Sequence, residues 1–413
     1  MSLEPLLEDL LGSDPPVAVN AYDGTRFGPD DAKATVEIRS PDALRRIATR
    51  PGELGLARAY VAGDIDLDGD IYKLFELPER LPTPRLTPAQ FRRVVSSLGF
   101  RRLRPMAPPP EEMSPHRFGL HTRSRDAAAI RHHYDVSNAF YRLVLGPSMT
   151  YSCALFSDPS TSVEEGQAAK HELICHKLDL QPGMRLLDVG CGWGGMVRHA
   201  AREHGVEVVG ITISPSQAEL GREVVAAEGL ADRVEIRLQD YRDIEDGPYD
   251  AISSIGMFEH VGVRRLGTYF QSMLTLLRPG GRFLNHAISR PPTDGKPRVS
   301  PNGFVGRYVF PDGELHEIGT VITAMQEAGF EVRHMESLRE HYDRTLRSWV
   351  TNLENHWEEA VAEVGANRAR VWRLYMAGSA AGFEVGRIQV HQTLGVRATD
   401  GGVSGMAPRP DWN

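Results

Sequence analysis

The hydrophobic and polar positions change their period along the chain. Up to about residue 80, alternating segments such as Thr35-Val36-Glu37-Ile38 predict strands and a stretch from Asp42 to Thr49 predicts a helix. Gly63-Asp64-Ile65-Asp66-Leu67-Asp68-Gly69-Asp70 reads as an acidic, solvated turn; its Asp spacing is similar to a calcium loop, but the Glu that closes such a loop is missing. Thr87 can then cap a helix beginning at Pro88, with Gln90 at the capping-box position and Phe91, Val94, Val95 and Leu98 on one face, ended by Gly99. Pro105 to Pro110 reads as a stiff linker, which divides the chain into 1–110 and 111–413.

Beyond residue 165 strand, turn and helix alternate. Arg185–Val189 is an apolar run that predicts a buried strand, a glycine turn follows, a helix starts near Gly194, and Val206–Thr212 is the next strand. This pattern predicts an α/β fold with a doubly wound, mostly parallel sheet, joined to a smaller α+β N-terminal domain.

Composition narrows the function. Among 413 residues there are 47 basic and 55 acidic side chains, a net charge of −8, which excludes nucleic acid as a partner for the whole surface. Against that background the stretch from Arg85 to Arg131 holds ten arginines and three acids. An amphipathic helix beside an arginine cluster suits an anionic membrane surface, and it equally suits a core-packed helix with a solvated basic face. The three cysteines, Cys153, Cys175 and Cys191, form no CxxC pair, so neither a disulfide framework nor a cysteine zinc site is expected and no metal ligand is assigned. With no signal-peptide pattern at Met1–Pro5 and no apolar run of membrane-spanning length, a cytoplasmic location is expected.

The candidate chemistry starts at Asp188-Val189-Gly190-Cys191-Gly192-Trp193-Gly194-Gly195. Glycines such as Gly190 and Gly192 let the backbone approach a ligand at the carboxyl edge of the first strand. Asp188 puts an anion where a dinucleotide would place its pyrophosphate, which favours the cationic amino-acid end of S-adenosylmethionine over a nicotinamide cofactor. Gln239, Asp240 and Tyr241 after the third strand can meet an adenine edge and face. The second strand lacks a ribose-binding acid, so Thr212 and Gln217 do that polar work or the ribose is held elsewhere. Cys191 reads as a small filler of the turn rather than a nucleophile.

Taken in order, His133-Tyr134-Asp135-Val136-Ser137-Asn138, Thr150-Tyr151-Ser152-Cys153-Ala154, the glycine turn, Gly256-Met257-Phe258-Glu259-His260-Val261-Gly262 and Tyr308-Val309-Phe310-Pro311-Asp312-Gly313 carry a resemblance over roughly residues 115–395. The chain resembles the cyclopropane-fatty-acyl-phospholipid synthase family with its mycolic-acid and tuberculostearic-acid relatives, and the region before residue 110 resembles the extra N-terminal domain of the phospholipid-acting members.

The resemblance implies a Rossmann-like methyltransferase fold and transfer of the S-adenosylmethionine methyl group to the cis double bond of an acyl chain. It places Cys153, Glu259, His286, Ile288 and Tyr342 at positions that hold a bicarbonate, the base that takes a proton from the methylated cation. It places Tyr134, Tyr151 and Ser152 over the methionine part of the cofactor, where aromatic faces attract a sulfonium. Independently of the resemblance, Glu259 and His286 each follow an apolar strand and so fall at the sheet edge. The expected product is a cyclopropane fatty acyl chain; the alternative is a methylene-branched chain that a separate reductase would saturate, and a non-catalytic lipid-binding protein is a third reading. The partners expected are a membrane phospholipid with an unsaturated chain, the anionic inner face of the membrane, and a second copy of the chain in a homodimer.

Overall fold

The computed structural model describes residues 2–76, 104–113, 136–292, 300, 303–311 and 313–412. The helix expected from Thr87 to Leu98, nine of the ten arginines of the basic stretch, and Tyr134 lie outside the described residues. The described chain forms two compact units.

The first unit joins residues up to 116 with Ser300–Pro311 and Trp357–Ala381. Strands β1 (Ala18–Ala21), β2 (Arg26–Phe27), β3 (Ala34–Ile38) and β4 (Ile65–Gly69) make a sheet in the order β2-β1-β3-β4. The helix Pro41–Thr49 starts where the sequence predicts one, with the Ser40 hydroxyl accepting from the Asp42 N–H at its N-terminus. The acidic segment expected as a turn is β4: Ile65 and Leu67 are buried and pair with Ile38 and Val36 of β3. Its aspartates mark the opposite face of a period-two strand, a pattern the density of Asp and Gly conceals.

Two later segments complete this unit, an addition that the proline linker does not signal. Leu54, Ala57 and Val61 pack with Phe304, Tyr308, Val309 and Val371 in one apolar cluster. Beside it the Glu112 carboxylate, with no exposed side-chain surface, accepts from Arg58 Nη2 at 2.6 Å, Arg307 Nη2 at 2.5 Å and the Tyr308 hydroxyl at 3.1 Å. A buried carboxylate held by two guanidiniums and a hydroxyl satisfies the rule that interior charge must be paired.

The second unit is built on a seven-stranded sheet in the order β10-β11-β9-β8-β5-β6-β7. Its strands are β5 (Arg185–Val189), β6 (Glu207–Thr212), β7 (Val234–Leu238), β8 (Tyr249–Ile255), β9 (Leu277–Ser289), β10 (Glu331–Ser337) and β11 (Gln389–Val396). Strands β5 to β9 are parallel and β11 runs antiparallel between β9 and β10. The period-two rule divides its apolar residues between two faces. Leu187, Ile252 and Phe283 enter one core with Tyr269 and Phe270, while their neighbours Leu186, Ala251 and Leu284 enter the other with Ile174 and Val197. Strands buried on both sides explain the unbroken apolar runs of the sequence. This is the doubly wound, Rossmann-like sheet expected, and its carboxyl edge carries the glycine turn.

Candidate active site

A cleft opens at the carboxyl ends of β5, β6 and β7. It is lined by Asp188 of β5, Gly190 and Gly192 of the turn after it, Thr212 at the end of β6, Gln217 of the helix that follows, and Gln239, Asp240 and Tyr241 after β7. Tyr151 and Ser152, from the loop before the helix Val163–Leu178, form part of the same wall. Every cofactor residue expected from the sequence lies on this cleft except Tyr134, which is not among the described residues.

The turn is shaped by backbone conformation. Gly190, Gly192 and Gly194 have φ of 82°, 56° and 87°. A Cβ built on Gly190 would stand 2.9 Å from Met257 Cβ, so the turn and the segment after β8 approach through the missing side chain.

Asp188 lies at the floor, 2% exposed, and accepts from the Ser253 hydroxyl at 2.7 Å. Burial pushes its carboxyl up to about 6, against the Ser253 bond and the pull of Lys170. Lys170 itself is fully buried, lines the cleft and donates to Ser152 Oγ at 2.9 Å. Burial lowers its ammonium to about 7, with Cys153 and Asp188 opposing the shift. A cation can approach this floor because Asp188 supplies negative charge and Lys170 gives up its proton near neutral pH.

The polar residues expected for adenine and ribose are present but engaged. Arg242 Nε donates to Asp240 at 2.8 Å, Gln239 Nε2 to the Asp243 carbonyl at 2.7 Å, and Thr212 Oγ1 to Gln217 Oε1 at 2.7 Å. An adenosine in the cleft therefore competes with, or is framed by, these bonds. Tyr241 is held edge-on against Tyr269, with ring centroids 5.2 Å apart.

The five residues assigned to bicarbonate do not line this cleft; they form a layer behind its wall. Gly256, on the cleft, donates its N–H to the His286 carbonyl at 2.9 Å, and Glu259 follows in the short turn Phe258–His260. The Ile288 N–H donates to Glu259 Oε1 at 2.6 Å. Ile288 pairs with Val390 of β11, whose carbonyl accepts from the Leu338 N–H; the Leu338 carbonyl in turn receives the Tyr342 N–H at 3.1 Å and lies 3.6 Å from Cys153 Sγ. Ile288 and Val390 face each other across the β9–β11 ladder, and hydrogen bonds on the outer sides of this pair reach Glu259 on one side and Leu338, with Tyr342 and Cys153, on the other. His286 and Ile288 stand inside β9 rather than after it, because the strand runs to Ser289 and pairs along its length with β11.

This layer is dry. Glu259 is 8% exposed, and burial raises its carboxyl to about 7 despite the Ile288 bond. His286 is 1% exposed; burial holds its imidazole well below the usual histidine range, with Lys170 and Lys177 adding to that shift. Its Nδ1 meets Gln392 Nε2 at 3.3 Å, and Gln392 is fixed by Lys177 Nζ at 2.6 Å. Among the described residues, Glu259 Oε2 and His286 Nε2 are buried without a hydrogen-bond partner. Cys153 is fully buried and its thiol is pushed up by burial, which makes it a wall and not a nucleophile. The Tyr342 ring packs on Phe383 at 4.7 Å and edge-on to Trp349 at 6.2 Å.

Lys170, Ser253 and Gln392 are neighbours of these groups that the motifs do not single out. One sequence signal exists for the lysines. The chain has only five, and Lys170 and Lys177 sit seven apart on one helix face within an otherwise arginine-rich protein.

Comparison with known proteins bears on the family and the fold. A family model described as mycolic acid cyclopropane synthetase matches residues 121–393. A probable fatty acid methyltransferase of Mycobacterium tuberculosis is 48% identical over 407 residues, covering 96% of this chain and 95% of the relative. The cyclopropane-fatty-acyl-phospholipid synthase of Escherichia coli K12 is 32% identical over 372 residues, 90% of each chain. Among solved structures, a mycolic acid cyclopropane synthase complexed with SAH and CTAB superposes with a TM-score of 0.61 at 35% identity, over 65% of this chain and 98% of that one.

Proposed function

Since the chain belongs to the mycolic acid cyclopropane synthetase family of S-adenosylmethionine-dependent methyltransferases, we propose that it methylates the cis double bond of an unsaturated acyl chain in a phospholipid and closes a cyclopropane ring with bicarbonate assistance. The observation that carries this reading is the pairing of two environments through one wall. A cleft with a buried carboxylate at its floor touches, through the Gly256 to His286 bond, a buried layer holding an acid and an imidazole.

S-adenosylmethionine supplies an electrophilic methyl group and bicarbonate a base for the proton that the methylated carbon skeleton must lose. The residues present fit both. Asp188 offers a counter-charge to a cationic ligand, and Tyr151 offers an aromatic face. Behind the wall, Glu259 Oε2 is an open acceptor for a bicarbonate hydroxyl, and His286 Nε2 can donate to its oxygens when that nitrogen carries the proton. Water is kept out by burial of Cys153, Tyr342 and His286, which protects a cation formed from an alkene. Glu259 is the positioning acid of this arrangement and is itself positioned by the Ile288 N–H.

A phospholipid substrate lies in a membrane, and no helix among the described residues is long and apolar enough to cross one. The arginine-rich stretch from Arg85 to Arg131 is the proposed contact with anionic lipid. The test is expression in a bacterium that makes unsaturated phospholipids and lacks its own cyclopropane synthase. Extracted lipids should gain one CH2 per modified chain with the fragmentation of a ring; a methylene fragmentation pattern would replace the cyclopropane product by the branched one.

A further inference from the structure

We propose that Cys175, His199, His204 and Glu172 form a binding site for one divalent transition-metal ion, zinc by ligand type, between the helices Val163–Leu178 and Gly195–His204. The sequence expectation of no metal ligand rested on the absence of paired cysteines; here the ligands come from two separate helices that pack together.

Glu172, Cys175 and His176 stand at i, i+3 and i+4, so one face of the first helix presents all three. The second helix brings His199 and His204 against that face. The potential ligand atoms of Cys175, His199 and His204 all lie within 4.8 Å of one another. In a tetrahedral zinc site, bond lengths of about 2.0 Å to nitrogen and 2.3 Å to sulfur set ligand atoms roughly 3.3–3.6 Å apart. Closure therefore needs side-chain adjustments of about an ångström and no movement of the helices.

Glu172 is the candidate fourth ligand, near both imidazoles. Glu172 Oε2 lies 2.8 Å from His199 Nε2 and 3.1 Å from His204 Nε2. Its other oxygen is 2.9 Å from His176 Nε2, an outer contact of the kind that fixes a ligating carboxylate. One thiol, two imidazoles and a carboxylate make a borderline-soft set that suits zinc and disfavours calcium or magnesium. The thiol would lose its proton on coordination, so binding releases protons.

Packing alone accounts for the burial of Cys175, and hydrogen bonding alone accounts for Glu172 with its two histidines. Neither requires the thiol and the two imidazoles to lie within 4.8 Å of one another. The cluster also has an entry side: Cys175 is buried, the His199 and His204 side chains are 11% and 15% exposed, and Glu172 is 39% exposed. Glu172 directly follows Lys170 and His171 of the cleft wall, so an ion here would pin that wall to the helix beginning at Gly195.

The test uses the full-length protein stripped with chelator and dialysed against zinc or cobalt(II), alongside Cys175→Ser and His204→Gln. The expected result is one ion per chain and a thiolate-to-cobalt charge-transfer band that Cys175→Ser removes. Zinc affinity should fall tenfold or more in each variant, and zinc should raise the melting temperature of the parent but not of His204→Gln. Should a variant fail to fold, the parent's cobalt spectrum decides alone. Absence of a stoichiometric ion in the parent overturns the proposal, as does a bound ion without a thiolate band or with unchanged affinity in both folded variants.

Discussion

The backbone N–H of Ile288 donates to Glu259 Oε1 at 2.6 Å, tying the short turn after β8 to the carboxyl end of β9 and leaving the other carboxylate oxygen buried and unbonded among the described residues. A carboxyl in this setting is aimed rather than merely stored. Glu259→Gln keeps the shape, so S-adenosylmethionine affinity should stay within about twofold while turnover falls roughly 10²-fold or more, the scale of a lost proton-transfer partner. Isothermal calorimetry and turnover on lipid vesicles check the two halves. Full turnover in the variant removes Glu259 from the reaction.

The same residue gives a stability prediction with a definite sign. Burial raises the folded-state carboxyl of Glu259 from 4.5 to about 7. The stabilisation that this raised value contributes is fully present below pH 4.5 and is lost as pH rises through about 7. At pH 8 the Glu259→Gln protein should melt no lower than the parent, and scanning calorimetry reads this directly. A large drop at pH 8 would mean that the ionised carboxylate is needed for the fold.

Asp188 should make cofactor binding depend on pH. Its folded carboxyl sits at about 6 through burial, and protonation removes the counter-charge to a cationic ligand. The dissociation constant for S-adenosylmethionine should rise as pH falls through 7 and then 6, as Lys170 gains its charge and Asp188 loses its own, and Asp188→Asn should bind weakly and keep only the part of the profile near 7 that Lys170 gives. Calorimetric titration between pH 5 and pH 8 measures it. A flat profile in the parent contradicts the role.

Gly190→Val should abolish cofactor binding. The position has φ of 82°, where a β-branched residue is strained, and its Cβ would meet Met257 Cβ at 2.9 Å. The closure of the turn onto the segment after β8 cannot survive both effects. Retained affinity in the variant would place the cofactor elsewhere.

These residues differ in how far the sequence reveals them. Asp188, Gly190, Thr212, Gln217, Gln239 and Tyr241 are legible because strands announce themselves by apolar runs and a parallel sheet puts ligands at its carboxyl edge. Lys170 and Ser253 are not, because a buried lysine on a helix and a serine inside a strand look like ordinary members of their elements until tertiary packing sets them beside Ser152 and Asp188. The β4 strand is hidden by its aspartates, and the addition of 300–311 and 357–381 to the first unit depends on contacts far apart in sequence. Only the family resemblance groups Glu259 and His286 with Cys153 and Tyr342; local pattern alone puts Glu259 and His286 near the sheet edge without joining them to the other two.

Membrane docking is tested by replacing Arg92, Arg93, Arg101, Arg102 and Arg104 with Gln. Of these, Arg104 is described and exposed, and its carbonyl accepts from Arg45 Nε at 2.7 Å. Each basic residue near an anionic bilayer contributes about 1 kcal/mol, screened over about 10 Å at 0.1 M salt. Vesicle co-sedimentation should fall steeply at low salt and little at high salt, with cofactor affinity unchanged. Equal sedimentation of parent and variant leaves these arginines a structural role only.

The central claim is methyl transfer to an acyl double bond within a phospholipid, and the most direct measurement follows the methyl group itself. Purified protein is incubated with trideuteromethyl-labelled S-adenosylmethionine and anionic vesicles of a cis-unsaturated phospholipid, with and without added bicarbonate, and the acyl chains are analysed by mass spectrometry. The expected product carries labelled ring carbon that has lost one deuterium, formed faster with bicarbonate in the parent and nearly absent with Glu259→Gln. An acyl chain that acquires no label, while the cofactor binds, would contradict the claim.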